Sequence, residues 1–388
     1  MQMTATQTLP AALATTEIEL SIVIPCLNEA ETIQTVVDKA RRTMAEHGIV
    51  GEILVADNGS TDGSQRLAEE AGATIVPVPQ RGYGAALIGG INAAQGKYVI
   101  MGDADDSYDF TAIAPFVEKL REGCDLVMGT RMRGKIMPGA MPPLHRFLGN
   151  PVLTGIGNIL FHTHISDYHC GLRAFNRASI QALGLRTSGM EFATEMVAKS
   201  ALNHLRMAEI PITYYPDGRS RRPHLRTWRD GWRHLKFMLL LSPTWVFIQP
   251  GLLLTLIGVI GLFVTLATAA PVDGSLNRAL SGQLLFSIAI LIGAQIVIFG
   301  VLSRLYASKM GLLKTTPFWE RLADRMSLDT GLILGTLVAA LGIAGIIAAL
   351  GSDNLSLLIV GLLVLVLGTK LVFLSFVVSL IRIKDYFG

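Results

Sequence analysis

Charge is scarce in this 388-residue chain. Lys, Arg, Asp and Glu make up 16% of it, against about 25% in soluble domains, and 33 bases nearly balance 30 acids. Because 51% of the residues are hydrophobic, a mainly disordered chain is excluded. The net charge of +3 argues against a dedicated nucleic-acid binder, so no nucleic-acid partner is expected.

Cysteine is scarce as well. The three cysteines, Cys26, Cys124 and Cys170, show no CxxC spacing, which argues against a disulfide framework and against a structural zinc site. The first seventeen residues contain no Lys or Arg and only a short apolar stretch, so we expect no cleavable signal peptide there. Residues 1–17 are predicted to be a disordered N-terminus.

Residues 18–218 alternate β-rich apolar runs with amphipathic helical stretches. In chain order the β-rich runs are SIVIP, EILVAD, TIVPV and KYVIMGDAD. This order predicts an α/β domain whose parallel sheet is covered by helices on both faces. The ligand crevice of such a sheet lies at the carboxyl ends of its strands. The chemistry of this domain is therefore expected at the strand ends.

Long apolar runs fill the chain after residue 244. The four runs lie at about 246–270, 282–303, 330–351 and 355–381. Each reaches the ~20 residues that cross a bilayer, so residues 245–388 are predicted to be a transmembrane domain of four helices. Bases are concentrated in the predicted loop 304–328. The positive-inside rule puts this loop, both termini and the α/β domain in the cytosol, in an integral protein of the cell membrane.

A basic segment, residues 219–244, joins the two parts. Its apolar residues at helical spacing are Trp228, Trp232, Leu235 and Leu239, and its bases at helical spacing are Arg226, Arg229, Arg233 and Lys236. One apolar face and one basic face predict an amphipathic helix in the membrane interface. Its arginines either only anchor the helix or also receive an anionic lipid headgroup. Lys370, inside the last run, is interpreted as reaching the cytosolic surface or as binding a lipid phosphate.

Two carboxylates follow the strand KYVIMG, at Asp103 and Asp105, on either side of the small residue Ala104. Carboxylate oxygens suit Mg²⁺ or Mn²⁺, which commonly shares its remaining positions with substrate phosphates. An acidic turn can instead simply cap the next helix. Two further polar loops, PCLNE after the first strand and DNGSTDG after the second, are expected at the same crevice, and this favours a ligand site.

Six motifs resemble the nucleotide-sugar-binding fold of glycosyltransferase family 2. They are SIVIPCLNEAETI, VADNGSTDGS, RGYGAAL, GDADDSYDF, GTRMRG and DYHCGLRAF, and they cover roughly residues 20–240. Within the family the chain is similar to the dolichyl- or polyprenyl-phosphate sugar synthases, of the polyprenyl-phosphate glucosyltransferase type. The resemblance implies a Rossmann-like α/β domain of GT-A type, followed by interfacial amphipathic helices and a four-helix transmembrane region.

The resemblance also implies site residues. Those for the donor nucleotide sugar are Pro25, Leu27, Glu29, Asp57, Asn58, Ala104, Asp105, Ser107, Arg131 and Arg219. Those for the acceptor phosphate are Arg131, Arg146, Asn150, Arg222 and Arg226, and those that support the site are Asp167, Gly171, Arg173 and Glu195. Asp103 and Asp105 would hold the metal and, with Arg131, would be catalytic. Asn58 stands where many relatives have an aspartate, and Ser107 replaces a glutamine that often completes the metal site.

The reaction implied is inverting transfer of a hexose, glucose from UDP-glucose, to polyprenyl or dolichyl phosphate. The product is a lipid-linked monophosphate sugar, Mg²⁺ or Mn²⁺ is the cofactor, the bilayer is a partner, and the protein could form a homo-oligomer. One alternative is a processive polysaccharide synthase, although no QxxRW segment occurs. The other is a non-catalytic assembly or flipping component, which would be expected to lose the acidic pair or the acceptor arginines.

Overall fold

The computed structural model describes residues 17–220, 227–268 and 275–382. The predictions made for residues 1–16, and for Arg222 and Arg226, lie outside these described residues. By its contacts the chain divides into two compact units, Met1–Leu235 and Lys236–Gly388. The helix that crosses this boundary belongs to the predicted basic segment.

A seven-stranded sheet forms the centre of the first unit. Its strands are β1 (Leu20–Cys26), β2 (Gly51–Asp57), β3 (Thr74–Pro77), β4 (Tyr98–Met101), β5 (Leu126–Ile136), β6 (Arg173–Asn176) and β7 (Met207–Tyr214). Their order across the sheet is β3-β2-β1-β4-β6-β5-β7. The prediction of a parallel sheet is correct for β1 to β4 and wrong for β6, which runs antiparallel to both β4 and β5.

The reversal at β6 has a topological cause. Met101 at the end of β4 pairs with Arg173 at the start of β6, and Arg173 also pairs with Met128 in β5. Since β6 begins where β4 ends, residues 137–172 leave and re-enter the sheet on the side of the carboxyl ends. A βαβ crossover would instead have carried the chain to the opposite edge. The loop before β6 is thereby placed beside the acidic pair.

Among the described residues, eight α-helices precede the long apolar helices. They are α1 (Ile33–Glu46), α2 (Ser64–Glu70), α3 (Tyr83–Ala93), α4 (Ala114–Arg121), α5 (Asn150–Phe161), α6 (Arg177–Gln181), α7 (Phe192–Leu202) and α8 (Thr227–Leu240). A 3₁₀ turn, Phe110–Ala112, precedes α4, and a π-helical turn, His145–Gly149, runs into α5. On α1 the residues Ile33, Val36, Val37, Ala40 and Met44 are buried, which is the spacing of a single helix face against the core.

The second unit is helical. Its helices are α9 (Gln249–Ala267), α10 (Ser275–Lys309), α11 (Pro317–Arg325), α12 (Leu328–Ser352) and α13 (Leu355–Ile381). In the described part of the chain, four helices are long and apolar enough to cross a membrane: Thr244–Ala267, Arg278–Lys309, Leu328–Ser352 and Leu355–Ile381. The four apolar C-terminal helices of the predicted fold class are confirmed.

The region predicted as a loop over 304–328 is partly helical. No helix-breaking residue follows the second apolar run until Gly311, so α10 continues to Lys309, and α11 forms within the remainder. The two interpretations of Lys370 stay predictions. Its Nζ donates to the Leu291 carbonyl at 2.7 Å, and it lies eleven residues before Ile381, about 16 Å along the helix.

Glycines bring α12 and α13 together. A Cβ at Gly342 would lie 2.4 Å from the Leu365 nitrogen, and one at Gly368 would lie 2.4 Å from the Ala339 nitrogen. Such backbone approach is what small residues permit between membrane helices. Ala in place of either glycine would therefore separate the two helices.

Candidate active site

The acidic pair lies at the carboxyl end of β4. The Tyr83 hydroxyl donates to Asp103 Oδ1 at 2.9 Å. Asp105 Oδ1 accepts from the Ser107 amide at 3.1 Å and from the Ser107 hydroxyl at 2.6 Å. Ser107 is thus occupied in orienting Asp105. Thr32 fixes the residue between the two carboxylates, because its hydroxyl donates to the Ala104 carbonyl at 2.7 Å.

The loop before β6 closes on this pair because Gly171 has no side chain. A Cβ at Gly171 would lie 2.9 Å from Asp103 Oδ2 and 2.9 Å from the Tyr108 ring. The Gly171 amide donates to the Tyr108 hydroxyl at 2.7 Å. The approach of two distant segments therefore depends on a glycine at this position.

Charge accumulates at Asp103. Burial and, after it, the neighbouring carboxylate of Asp105 raise the pKa of the Asp103 carboxyl to about 7. The Tyr83 hydrogen bond and the guanidinium groups of Arg219 and Arg131 act in the opposite direction. An additional cation at this position would stabilise the ionised pair.

The loop after β2 is held by the side chains of Asp57 and Asn58. Asp57 accepts from the Gly59 and Ser60 amides and, at 2.6 Å, from Gln65 Nε2. Asn58 Nδ2 donates to the carbonyls of Val78 and Gln80, and its Oδ1 accepts from the Gly82 amide. The amide of Asn58 therefore shapes the loop before α3. The preceding site residues Pro25 and Leu27 lie in β1 and directly after it.

Glu29 and Arg219 meet across the mouth of the crevice. Arg219 Nη1 donates to Glu29 Oε1 at 2.9 Å, and Nη2 donates to Asp105 Oδ2 at 2.5 Å. The Glu29 amide donates to Ser64 Oγ at 2.8 Å, which fixes this residue to the start of α2. Three of the residues assigned to the donor are therefore in direct contact, because Arg219 bonds both Glu29 and Asp105.

A buried ion pair joins β5 to the loop before β6. Arg131 Nε donates to Asp167 Oδ2 at 2.7 Å, and Nη2 donates to Oδ1 at 2.9 Å. The Arg131 side chain is 8% exposed and that of Asp167 is fully buried. The guanidinium also lies over the Tyr214 ring, 5.2 Å from its centroid. Arg131 holds the pKa of Asp167 below its ordinary value despite burial.

Arg173 and Glu195 organise the surrounding backbone. Arg173 is fully buried and donates to the carbonyls of Tyr168, Cys170 and Ala193. Glu195 accepts from the Arg186 and Thr187 amides and pairs with Lys199 at 2.7 Å. The loop held by Glu195 reaches α3, where the Ser188 carbonyl accepts from the Ala85 amide. These two residues therefore act on the site through other groups.

Arg146 lies on the π-helical turn, and Asn150 is the first residue of α5. Arg146 stacks over Phe147 with its guanidinium carbon 5.3 Å from the ring centroid, and Asn150 Nδ2 contacts Met141 Sδ at 3.5 Å. Within the described residues neither is brought into contact with Arg131. The apolar side chains exposed on the residue before this turn, on the turn and on the helix are Leu144, Phe147, Leu148, Val152 and Ile159. This surface was not predicted, although the apolar spacing in LHRFLGNPVL could have revealed it.

Helix α8 presents polar residues, not its tryptophans, to the first unit. Trp228 and Trp232 are 79% and 59% exposed, whereas Asp230 and His234 are buried. A 2.7 Å hydrogen bond joins His234 Nδ1 to Thr194 Oγ1, and burial lowers the pKa of His234 to about 4. The polar residues of α8 thus attach it to the first unit and leave the tryptophans outside.

The chain belongs to glycosyltransferase family 2. Residues 21–184 match Glycosyl transferase family 2, and residues 301–382 match the Glycosyltransferase family 2 C-terminal transmembrane region. The protein is therefore a glycosyltransferase, and its four apolar helices make it an integral membrane protein.

Three proteins of Haloferax volcanii are similar to it. The low-salt glycan biosynthesis hexosyltransferase Agl6 is 36% identical over 329 residues, which cover 84% of this chain and 78% of that protein. Glycosyltransferase AglJ is 33% identical over 298 residues, 74% of this chain and 93% of that protein. A dolichyl-phosphate hexose transferase is 27% identical over 201 residues, 50% of this chain and 82% of that protein.

Proposed function

We propose that this glycosyltransferase moves a hexose, glucose from UDP-glucose, onto the phosphate of a polyprenyl or dolichyl phosphate with inversion at the anomeric carbon. The observation that carries the proposal is the position of Arg131, which is held by Asp167 and is near enough to Asp103 to lower the pKa of that carboxyl. A guanidinium near two carboxylates supports a site where a lipid phosphate and a metal-bound diphosphate meet. The similar proteins described as a hexosyltransferase and a dolichyl-phosphate hexose transferase support the substrate class.

The acidic pair fits a divalent cation that is shared with the donor. Asp103 and Asp105 offer hard carboxylate oxygens, but in the described ranges no group of three or more His, Cys, Asp or Glu side chains forms a complete metal site. Mg²⁺ or Mn²⁺ would therefore take its other ligands from the diphosphate and water. Such an ion, when bound, would offset the charge that develops on the departing nucleoside diphosphate.

Binding of this cation should depend on pH. Because the pKa of Asp103 is raised to about 7, a proton competes with the cation below that pH and no longer does so above it. We expect the affinity for Mn²⁺ with UDP to fall by up to about tenfold per pH unit below the midpoint, as measured by calorimetry. Tyr83→Phe removes a bond that favours the carboxylate, so it should move the midpoint to higher pH. A flat profile between pH 5 and 8 would contradict this assignment.

The protein need not supply a general base for the acceptor. A phosphate monoester with a second pKa near 6 is largely dianionic at neutral pH, so its oxygen can attack the anomeric carbon directly. Arg131 donates two of its N–H groups to Asp167, which orients the remaining Nη1 for the phosphate. Arg146 is proposed as the second phosphate ligand, with Asn150 nearby on α5. Arg222 and Arg226 remain proposals for the same phosphate.

The proposed donor contacts come from the loops after β1, β2 and β4. The residues proposed to face the nucleotide sugar are Pro25, Leu27, Glu29, Asp57, Asn58, Ala104, Asp105, Ser107, Arg131 and Arg219. For Asp57, Asn58 and Ser107 the side-chain bonds within the protein suggest contact through the loops that they shape. The supporting residues Asp167, Gly171, Arg173 and Glu195 would keep the two substrates aligned.

A lipid acceptor explains the apolar surfaces of the first unit. A polyprenyl tail leaving the bilayer would expose many methylene groups at about 0.8 kcal/mol each, so the site must approach the headgroups instead. Exposed Phe147 and Leu148 beside Arg146, and exposed Trp228 and Trp232 on α8, suit contact with a membrane surface. We place the catalytic domain and both termini in the cytosol, and the protein could act as a homo-oligomer.

The proposal is tested with the full-length protein in liposomes, polyprenyl phosphate, Mg²⁺ and a panel of UDP- and GDP-sugars. Mass spectrometry should find a lipid that has gained one hexose, with UDP-glucose as donor. A ladder of products would identify a processive synthase instead. Absence of product with every donor would favour a non-catalytic component.

Arg146→Lys should change the KM for the lipid acceptor much more than the KM for the nucleotide sugar. Lys keeps the charge but cannot make the two-point contact that Arg makes with a phosphate. We expect the KM for polyprenyl phosphate to rise about tenfold or more, with the KM for the nucleotide sugar within about twofold of the original. Arg133→Lys serves as the matched control, because it makes the same change in β5 at an arginine that pairs with Glu209. Equal effects on both KM values would remove Arg146 from the acceptor site.

A further inference from the structure

Arg219 donates hydrogen bonds to three carboxylates at the crevice. Its Nε donates to Asp217 at 2.9 Å, its Nη1 to Glu29 at 2.9 Å and its Nη2 to Asp105 at 2.5 Å. The Arg219 side chain is 13% exposed, and those of Glu29 and Asp105 are 8% and 9% exposed. A planar guanidinium with five N–H donors can serve three carboxylates at once, whereas an ammonium group acts as a single point charge.

These contacts use both oxygens of Asp105. Oδ1 is held by the amide and hydroxyl of Ser107, and Oδ2 is held by Arg219. A divalent cation that binds Asp105 must therefore share an oxygen with one of these hydrogen-bond donors or displace that donor. Two positive groups on one poorly solvated oxygen repel each other strongly. Of the two donors only the guanidinium carries the charge that a cation would replace.

We propose that Arg219 is the countercharge of the cation site and exchanges with the divalent cation. Arg219 neutralises Glu29 and Asp105, and it leaves Asp105 when the cation binds. The diphosphate of the donor then offers the released guanidinium a new anionic partner. This inference rests on the proposed function, because it takes a nucleoside diphosphate as the second partner.

The exchange determines the order of binding. A cation that arrives alone binds Asp103 and Asp105. It displaces Arg219 from Asp105 and brings no anion to take the place of that partner. A cation that arrives with a nucleoside diphosphate supplies both the replacement charge and the new partner. The free protein should accordingly bind Mn²⁺ weakly, and UDP should strengthen Mn²⁺ binding.

The test measures Mn²⁺ binding to the full-length protein in nanodiscs, using the electron paramagnetic resonance signal of free Mn²⁺. Without nucleotide, Arg219→Gln should bind Mn²⁺ about tenfold or more tightly than the original protein. Addition of UDP should strengthen Mn²⁺ binding to the original protein about tenfold, and to Arg219→Gln much less. Arg219→Lys should lie between the two, since Lys cannot serve three carboxylates.

Thermal unfolding provides a second readout that does not depend on turnover. In EDTA, Arg219→Gln leaves Glu29 and Asp105 without their shared guanidinium, so its Tm should fall below that of the original protein. Mn²⁺ should restore that loss and should raise the Tm of the original protein much less. A general folding defect would lower the Tm in both conditions.

Lys39→Gln is the matched control. Lys39 Nζ pairs with Asp106 at 2.7 Å, so this variant also removes one positive charge beside a carboxylate that neighbours Asp105 in the chain. Its Mn²⁺ affinity should stay within about twofold of the original. An increase equal to that of Arg219→Gln would assign the effect to net charge and overturn the proposal.

The remaining outcomes separate the inference from the proposed function. Mn²⁺ affinity in Arg219→Gln that equals or falls below the original, or no Mn²⁺ binding to either protein, would overturn the exchange. Tighter Mn²⁺ binding in Arg219→Gln with no UDP binding to either protein would support Arg219 as the countercharge and overturn the nucleotide-sugar proposal.

Discussion

Asp105→Asn will lower turnover by about 10²- to 10³-fold while the protein remains folded. The substitution keeps the shape of the side chain and the bonds to Ser107, but it removes the negative charge that a divalent cation requires. The diphosphate would then depart without its countercharge, and a loss of this size is typical when electrostatic stabilisation of a transition state is removed. Single-turnover assays with labelled donor would measure the chemical step directly.

The adjacent carboxylate supplies the control. Asp106 pairs with Lys39 and is more exposed than Asp105, so Asp106→Asn should keep turnover within a few-fold of the original. Wild-type turnover by Asp105→Asn in EDTA would contradict a metal-dependent reaction. A similar loss in both variants would indicate damage to the turn as a whole.

Asp167→Asn should lower the free energy of unfolding far more than a substitution in an exposed ion pair. It leaves the buried Arg131 guanidinium without its charged partner, and breaking a buried ion pair costs about 3–5 kcal/mol of unfolding free energy. Arg131 would also lose its orientation, so transfer to the lipid phosphate should fall together with stability. Denaturant unfolding of the protein in detergent, followed by tryptophan fluorescence, would measure the stability change.

An exposed ion pair of similar geometry is the control for the buried pair. Arg121 and Glu19 also form a two-point contact, at 2.7 and 2.8 Å, but the Arg121 side chain is 48% exposed. Glu19→Gln should therefore cost less than about 1 kcal/mol. If Asp167→Asn proved as mild as Glu19→Gln, the buried pair would not be the element that holds β5 to the loop before β6.

Local patterns were sufficient for several features of this protein. Four charge-poor runs predict four apolar helices because crossing a bilayer depends only on length and composition, and the structure has all four. The strands β1 to β4 and the position of Asp103 and Asp105 after β4 follow from Ile- and Val-rich runs that end in polar residues. The motifs also indicated the family that the comparisons establish.

Other features depend on contacts between residues far apart in the chain. Arg219 meets Glu29 across 190 positions, and Arg131 meets Asp167 across 36. No local pattern encodes which of 33 bases pairs with which of 30 acids. The antiparallel direction of β6 depends likewise on where the chain re-enters the sheet.

Helix α8 illustrates the division most directly. Its sequence by itself determined an amphipathic helix, since the spacing of aromatic and basic residues is a local property. Only the tertiary structure decided that Asp230 and His234 face inward, because Thr194 on a distant helix provides a hydrogen-bonding partner for His234. Burial of a polar side chain is favourable only when such a partner is present, and partners are brought together by the fold as a whole.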